Sequence, residues 1–206
     1  ADAQRPPAPL PAARYLARTA PLWRPLRRKP FVAVVPLHGT IMGDEASRMG
    51  AGLTPHALSS VLERLRSDAK VRAVVLHIDS PGGSALASEQ MHRAISQLAQ
   101  HKPVVACFGE VAASGGYYVA CACKKIVAQA LTITGSIGVV SAKPDLSQLL
   151  ERVGVRRQTV RTSQSADMLS VTRGLSAHEQ DVLRAQVAAL YERFVVPELE
   201  SYGKAY

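Results

Sequence analysis

The sequence predicts an α/β fold built on a largely parallel sheet. Three continuous apolar runs, at 31–39, 71–79 and 103–109, are each the length of one buried strand. Between them lie segments whose apolar residues recur at helical spacing, and proline or glycine marks most of the junctions. Strands that alternate with helices in this way pair in parallel through crossover connections.

FVAVVPLHG (31–39) is an uninterrupted apolar stretch closed by glycine, the pattern of a buried strand. A glycine-rich loop, 39–52, follows it. Thr54 and Pro55 then suit the N-cap and first position of a helix, whose apolar stripe is Leu58, Val61, Leu62 and Leu65. VRAVVLHID (71–79) is the second strand, broken by SPGG (80–83). Residues 84–100 repeat apolar positions at Leu86, Met91, Ile95 and Leu98 and read as a helix, and PVVACFG (103–109) is the third strand. A helix opens at Ser114 and reaches about Cys123, KIVAQ (125–129) gives a short strand, and a helix at 145–153 leads into a strand at 155–161. The last helix covers 176–196, with Ser176 and Glu179 at capping-box spacing. This organisation divides the chain into a basic, proline-rich leader or linker (1–30), one domain (31–196) and a short C-terminal tail (197–206).

Composition removes several classes of function. With 206 residues, 47% of them hydrophobic and 20% charged, the chain has the means to bury a core, so wholesale disorder is excluded. No window approaches 18 uninterrupted apolar residues, and the prolines of ADAQRPPAPLPAAR stand where a signal peptide carries its apolar region. The net charge of +9 invites a nucleic-acid reading, but its location argues against specific binding. Seven basic residues against the single acid Asp2 fall within the first thirty positions, a segment suited at most to anionic lipid head groups at a membrane surface. Cys107, Cys121 and Cys123 have no zinc or redox spacing and read as small buried residues, and the histidines show no metal spacing. No cofactor is expected.

Chemistry concentrates in two turns, each placed after an apolar strand: Asp79-Ser80-Pro81-Gly82-Gly83 and Val111 to Tyr118, which reads VAASGGYY. Ligands bind at the carboxyl ends of parallel strands, so both turns are expected on one rim. Glycine pairs let backbone N–H groups approach a ligand closely, and a serine that opens a helix presents a free hydroxyl near the positive helix end. Those are the parts of acyl transfer: a nucleophile and oxyanion donors. The same glycine turns also occur as plain turn chemistry. No phosphate-binding loop, HExxH helix or GxSxG elbow is present.

IDSPGGS (78–84), GEVAASGGYYVA (109–120) and LTITGSIGVV (131–140) resemble the signature segments of the signal peptide peptidase A, or protease IV, family. The resemblance runs from about Phe31 to Phe194. It implies a Clp protease/crotonase type of fold and a membrane-associated serine peptidase that degrades signal peptides with a Ser–Lys dyad. It places the nucleophile on Ser114, oxyanion donors on the N–H groups of Gly83 and Gly115, and a substrate groove along TGSIG (134–138). Members assemble into dome-like rings, so a homo-oligomer is implied.

One departure concerns the base. In short members the lysine follows a strand that here reads Gln158-Thr159-Val160-Arg161, and the aligned position is Ala166. RTSQSADMLSVTRG (161–174) is closer to the C-terminal, serine-bearing half of the long two-domain members, whose N-terminal half supplies the lysine. A lysine deprotonates serine only when burial drives its pKa down from about 10.4 toward neutrality. Lys143 is the internal candidate by position, whereas Lys70, Lys102, Lys124, Lys125 and Lys204 read as solvated surface residues. The expectation is a serine endopeptidase for hydrophobic peptides whose base comes from another chain or a missing N-terminal half. The alternative is a non-catalytic or assembly subunit that keeps the fold without the base. A crotonase-like acyl-CoA enzyme also uses paired N–H donors, but has no use for a serine in ASGG.

Overall fold

A computed structural model describes residues 29–45 and 52–202, with side chains described as far as Val195. The leader therefore lies outside the described residues, apart from Lys29 and Pro30. Strands β1 (Phe31–His38), β2 (Val71–Ser80), β3 (Val104–Ala113) and β4 (Lys125–Val127) form a parallel sheet in that order. β5 (Ile133–Gly135) pairs with β3 beyond the end of β4. Helix α1 (Pro55–Ser67) crosses from β1 to β2 and α2 (Ala85–Ala99) from β2 to β3. Both crossovers step the same way along the sheet, and the fixed hand of such connections puts both helices on one face.

That face holds the core. Ala33, Val35 and Leu37 of β1, Val74, Leu76 and Ile78 of β2, and Val104, Ala106 and Phe108 of β3 meet Leu58 and Leu62 of α1 and Met91, Ile95 and Leu98 of α2. Each such aliphatic side chain, fully buried, contributes about 2–3 kcal/mol. The opposite face departs from expectation. The apolar run predicts a buried strand for β1, yet its burial alternates, with Val32 at 55% and Val34 at 65% exposure. β1 therefore behaves as a half-buried strand, whereas the alternate residues of β2 and β3 are mostly half-buried.

Other sequence expectations are corrected in physical terms. Thr54 has the extended backbone of an N-cap, but its buried Oγ1 finds no partner among the described residues. Thr54 remains the N-cap as expected, its carbonyl accepting the Leu58 N–H at 3.1 Å, and Asp44 supplies the side-chain bond, its Oδ1 accepting the His56 N–H at 2.9 Å. Val61 is 40% exposed, at the edge of the α1 stripe. Lys102 is not a solvated lysine: its Nζ donates to the carbonyls of Leu65 and Asp68, both at 2.6 Å, and closes the C-terminal end of α1. Residues 155–161 form no strand, because no strand edge among the described residues lies beside them, and Val160 is 94% exposed. Helix α4 (Ser147–Arg152) is shorter than the periodicity suggests, and α5 (Ala177–Tyr202) runs past the expected end at 196 into the segment expected as a tail. The capping box at its start is formed, with Ser176 N–H on Glu179 Oε2 at 2.8 Å and Glu179 N–H on Ser176 Oγ at 3.2 Å. None of the three cysteines forms a disulfide, and burial pushes the Cys123 thiol up to about 12, which keeps it unreactive.

Candidate active site

Ser114 stands where β3 ends and α3 (Gly115–Ala120) begins. Its backbone has φ 50° and ψ −124°, a left-handed conformation that non-glycine residues rarely adopt. Two hydrogen bonds hold it there: the Ser114 N–H donates to the Gly135 carbonyl at 2.8 Å, and its carbonyl accepts from Tyr118 N–H at 2.9 Å. β5 is what makes the first possible, since Ala113 and Gly135 are register partners. The sharp reversal lifts the serine side chain out of the strand direction at the carboxyl end of the sheet. With six residues, α3 carries little macrodipole, so any electrostatic help comes from individual N–H groups.

The other glycine turn meets this one directly. A Cβ on Gly82 would lie 2.6 Å from the Gly115 nitrogen and 2.9 Å from the Ser114 Cβ, so only glycine permits the approach. Gly83 sits in a parallel bridge with Ile41, bracketed by Ile41 N–H on the Gly82 carbonyl and Ser84 N–H on the Ile41 carbonyl, each at 2.8 Å. Those bonds use the groups on either side of Gly83, which turns its own N–H away from Ile41. Gly115 is the first residue of its helix, where an N–H has no intrahelical acceptor.

Two residues that sequence reasoning did not assign set the relation between the turns. Between the pairs Ile78–Phe108 and Ser80–Ala112, β3 contains more chain than β2, a bulge. Asp79 closes it, with its Oδ1 accepting the Val111 N–H at 3.0 Å. Ser80, fully buried, accepts the Gly82 N–H on its Oγ at 3.2 Å. The first residues of the SPGG turn are therefore braces.

Ser114, Gly83 and Gly115 line one cavity of about 630 Å³ together with Ser136, Ile137 and Gly138 of TGSIG. Leu86, Val139, Val140, Leu190 and Phe194 make its apolar walls. Leu86, assigned by periodicity to the α2 core stripe, is 67% exposed and belongs to this cavity. Glu89 and Tyr118 also line it, joined by a hydrogen bond from the Tyr118 hydroxyl to Glu89 Oε2. Burial opposes ionisation of Glu89, but the Tyr118 and Arg93 hydrogen bonds outweigh it and hold the carboxyl below its ordinary range. Tyr118 lies one helical turn beyond Ser114, the single sequence signal that pointed to this pair.

Lys143 and Ala166 do not line the Ser114 cavity. The Lys143 ammonium donates to the main-chain carbonyl of Arg173. Ala166 is exposed, on a series of turns at 163–169. That region is held by Arg173, which reaches Asp167 Oδ1 at 2.7 Å and the buried Glu179 Oε1 at 2.6 Å. The Arg173 hydrogen bonds hold both carboxyls at about 2, with Arg161 assisting at Asp167 and the Ser176 N–H at Glu179. Both values lie below the ordinary 3.8 and 4.5, so the stabilisation is complete above about pH 4.5 and is lost as pH falls through 2. We expect the melting-temperature gap between the parent and Arg173→Met to shrink steadily from pH 5 to pH 2. A gap that stays constant with pH overturns this account.

The sequence profile described as Peptidase family S49 matches residues 96–197. The chain is 38% identical over 164 residues to the chloroplastic serine protease SPPA of Arabidopsis thaliana, covering 79% of this chain and 23% of that one. Protease 4 of Haemophilus influenzae is 34% identical over 174 residues, 84% of this chain and 28% of its own. The chain belongs to peptidase family S49. Protease 4 of Salmonella typhi is similarly related, 36% identical over 165 residues, 80% of this chain and 26% of its own. This chain thus spans about a quarter of the length of these S49 relatives. The parallel α/β sheet with its helices is the Clp protease-like architecture of family S49. Among the described residues, no helix is long and apolar enough to cross a membrane.

Proposed function

We propose that this chain is the serine-bearing domain of an S49 endopeptidase acting on extended, apolar peptides such as signal peptides. The observation that carries the reading is the strained Ser114, held at the strand–helix junction in a cavity it shares with Gly83 and Gly115. Ser114 Oγ attacks the scissile carbonyl carbon while its proton passes to a neutral lysine amine. The Gly83 and Gly115 N–H groups receive the developing oxyanion, an interaction whose loss costs about 10²–10³ in rate in comparable sites. Collapse expels the peptide amine, which takes the proton back, and water then releases the acyl group by the reverse sequence. The apolar walls around Val139 and Val140 accept side chains of a peptide lying along TGSIG.

The lysine is assigned to a second copy of the chain or to a preceding half of a longer protein. Lys143, the internal candidate, is engaged by the Arg173 carbonyl and lies outside the cavity lining, and Ala166 offers no base. Any association with a membrane surface is assisted at most by the basic leader. The test is fluorophosphonate labelling of the full-length protein with peptide mapping. A label on Ser114 that Ser114→Ala abolishes is the expected result. No label in any assembled state overturns the peptidase reading and leaves the scaffold subunit, which Ala166 and the occupied Lys143 favour.

A further inference from the structure

We propose that the Tyr118–Glu89 hydrogen bond is a positioning clamp that fixes the separation of the two oxyanion donors, an inference that rests on the peptidase reading above. The two donors lie on different elements. Gly83 immediately precedes Ser84, the N-cap of α2, and Gly115 is the first residue of α3. Nothing in the sheet ladder fixes how far apart these two helix starts stand, because both lie past the last register pair of β2 with β3. The Asp79 and Ser80 braces and the Gly82–Gly115 approach bring the turns together, and contacts between α2 and α3 add to them.

Two such contacts exist next to the site. Ser88, in the first turn of α2, is 2% exposed, and its Oγ occupies the place where a Gly115 Cβ would lie, 2.3 Å away. That contact limits how closely the helices approach. The Tyr118 hydroxyl, one turn into α3, donates to Glu89, one turn into α2, and limits how far they part. The Tyr118 ring cannot swing aside, since His92 stacks on it at 4.8 Å and Phe194 meets it edge-on at 5.0 Å. Glu89 is braced from the other side by Arg93 at 2.6 Å. A bond to an ionised carboxylate is among the stronger neutral-to-charged kinds, and the ionised state of Glu89 keeps it so. Glu89 and Tyr118 thus act on the reacting atoms only through Gly83 and Gly115.

A clamp of this kind predicts effects that local destabilisation alone does not produce. In amide hydrogen exchange on the protein, Tyr118→Phe and Glu89→Gln each speed exchange about tenfold at the hydrogen-bonded amides of Ser84, Ser88, Ser114 and position 118. Amides of β1 and α1 keep the parent rates. In the full-length protein, each variant lowers the maximal rate of fluorophosphonate labelling at Ser114 about tenfold and leaves the half-saturating probe concentration unchanged. The double variant is no slower than either single one. Parent-like exchange at those four amides overturns the clamp, whether or not the protein hydrolyses peptides. Undiminished labelling in the variants overturns its catalytic consequence while the peptidase reading stands. A parent that takes no label at Ser114 brings down the peptidase reading itself, and the exchange measurement still decides whether the clamp exists.

Discussion

Ser114→Gly is expected to melt a few degrees above the parent while taking no fluorophosphonate label. The serine is held at φ 50° and ψ −124° by a strand partner on one side and a helical bond on the other. Such a conformation costs a residue with a Cβ about 1–3 kcal/mol, most of which glycine does not incur. Glycine gives back part of that gain through the greater freedom of its unfolded chain, leaving about 1 kcal/mol net. For a domain of this size that is about 2–4 °C in melting temperature. Ser114→Ala separates the two effects, because alanine loses the hydroxyl but keeps the strain. It is expected to lose labelling with no rise in melting temperature. Equal melting temperatures for the glycine and alanine variants would show that the serine backbone is not strained.

Gly83→Ala acts in the opposite direction on stability and in the same direction on chemistry. With φ at +152°, a Cβ there would fall 2.0 Å from the Ile41 carbonyl oxygen, a backbone atom that cannot rotate away. Backbone strain and overpacking together put the cost at about 3 kcal/mol, roughly 6–12 °C. The bridge to Ile41 must open to admit the methyl group, which moves the Gly83 N–H. Labelling of whatever remains folded is expected to fall about 10²-fold, in line with the loss of one oxyanion donor. Gly138→Ala is the control for stability, since a Cβ there meets nothing within 4 Å. A Gly83→Ala protein that melts and labels like the parent would remove Gly83 from the site.

The first three strands and the first two helices were legible because local signals agreed: apolar runs of strand length, Pro55 at a helix start, glycines at the rims. The site turns were legible as places, since each follows a strand whose apolar run simply stops. What sequence left hidden depends on distant chain. β5 is three residues long and exists only because β3 offers an edge at Val111–Ala113. Val155 and Val160 have the residue types of a strand but meet no edge. Leu86 stands five residues before Met91, off the repeat that Ala87, Met91, Ile95 and Leu98 keep, and so faces the cavity rather than the core. Lys102 looks like any surface lysine until the end of α1 is placed beside it. The strain at Ser114 was invisible for a similar reason: the sequence favours glycine at positive φ, and here two glycines stand immediately after the serine instead.

The bulge held by Asp79 has a bearing on how this protein tolerates changes in length. Four residues of β3 advance against two of β2 between Phe108 and Ala112. Successive strand residues point to opposite sides of a sheet. Deleting one residue from the stretch would therefore turn the hydroxyl of position 114 toward the wrong surface, even though every side chain of the motif survived intact. Insertions and deletions, ordinarily harmless at a rim, are as damaging here as replacement of the nucleophile.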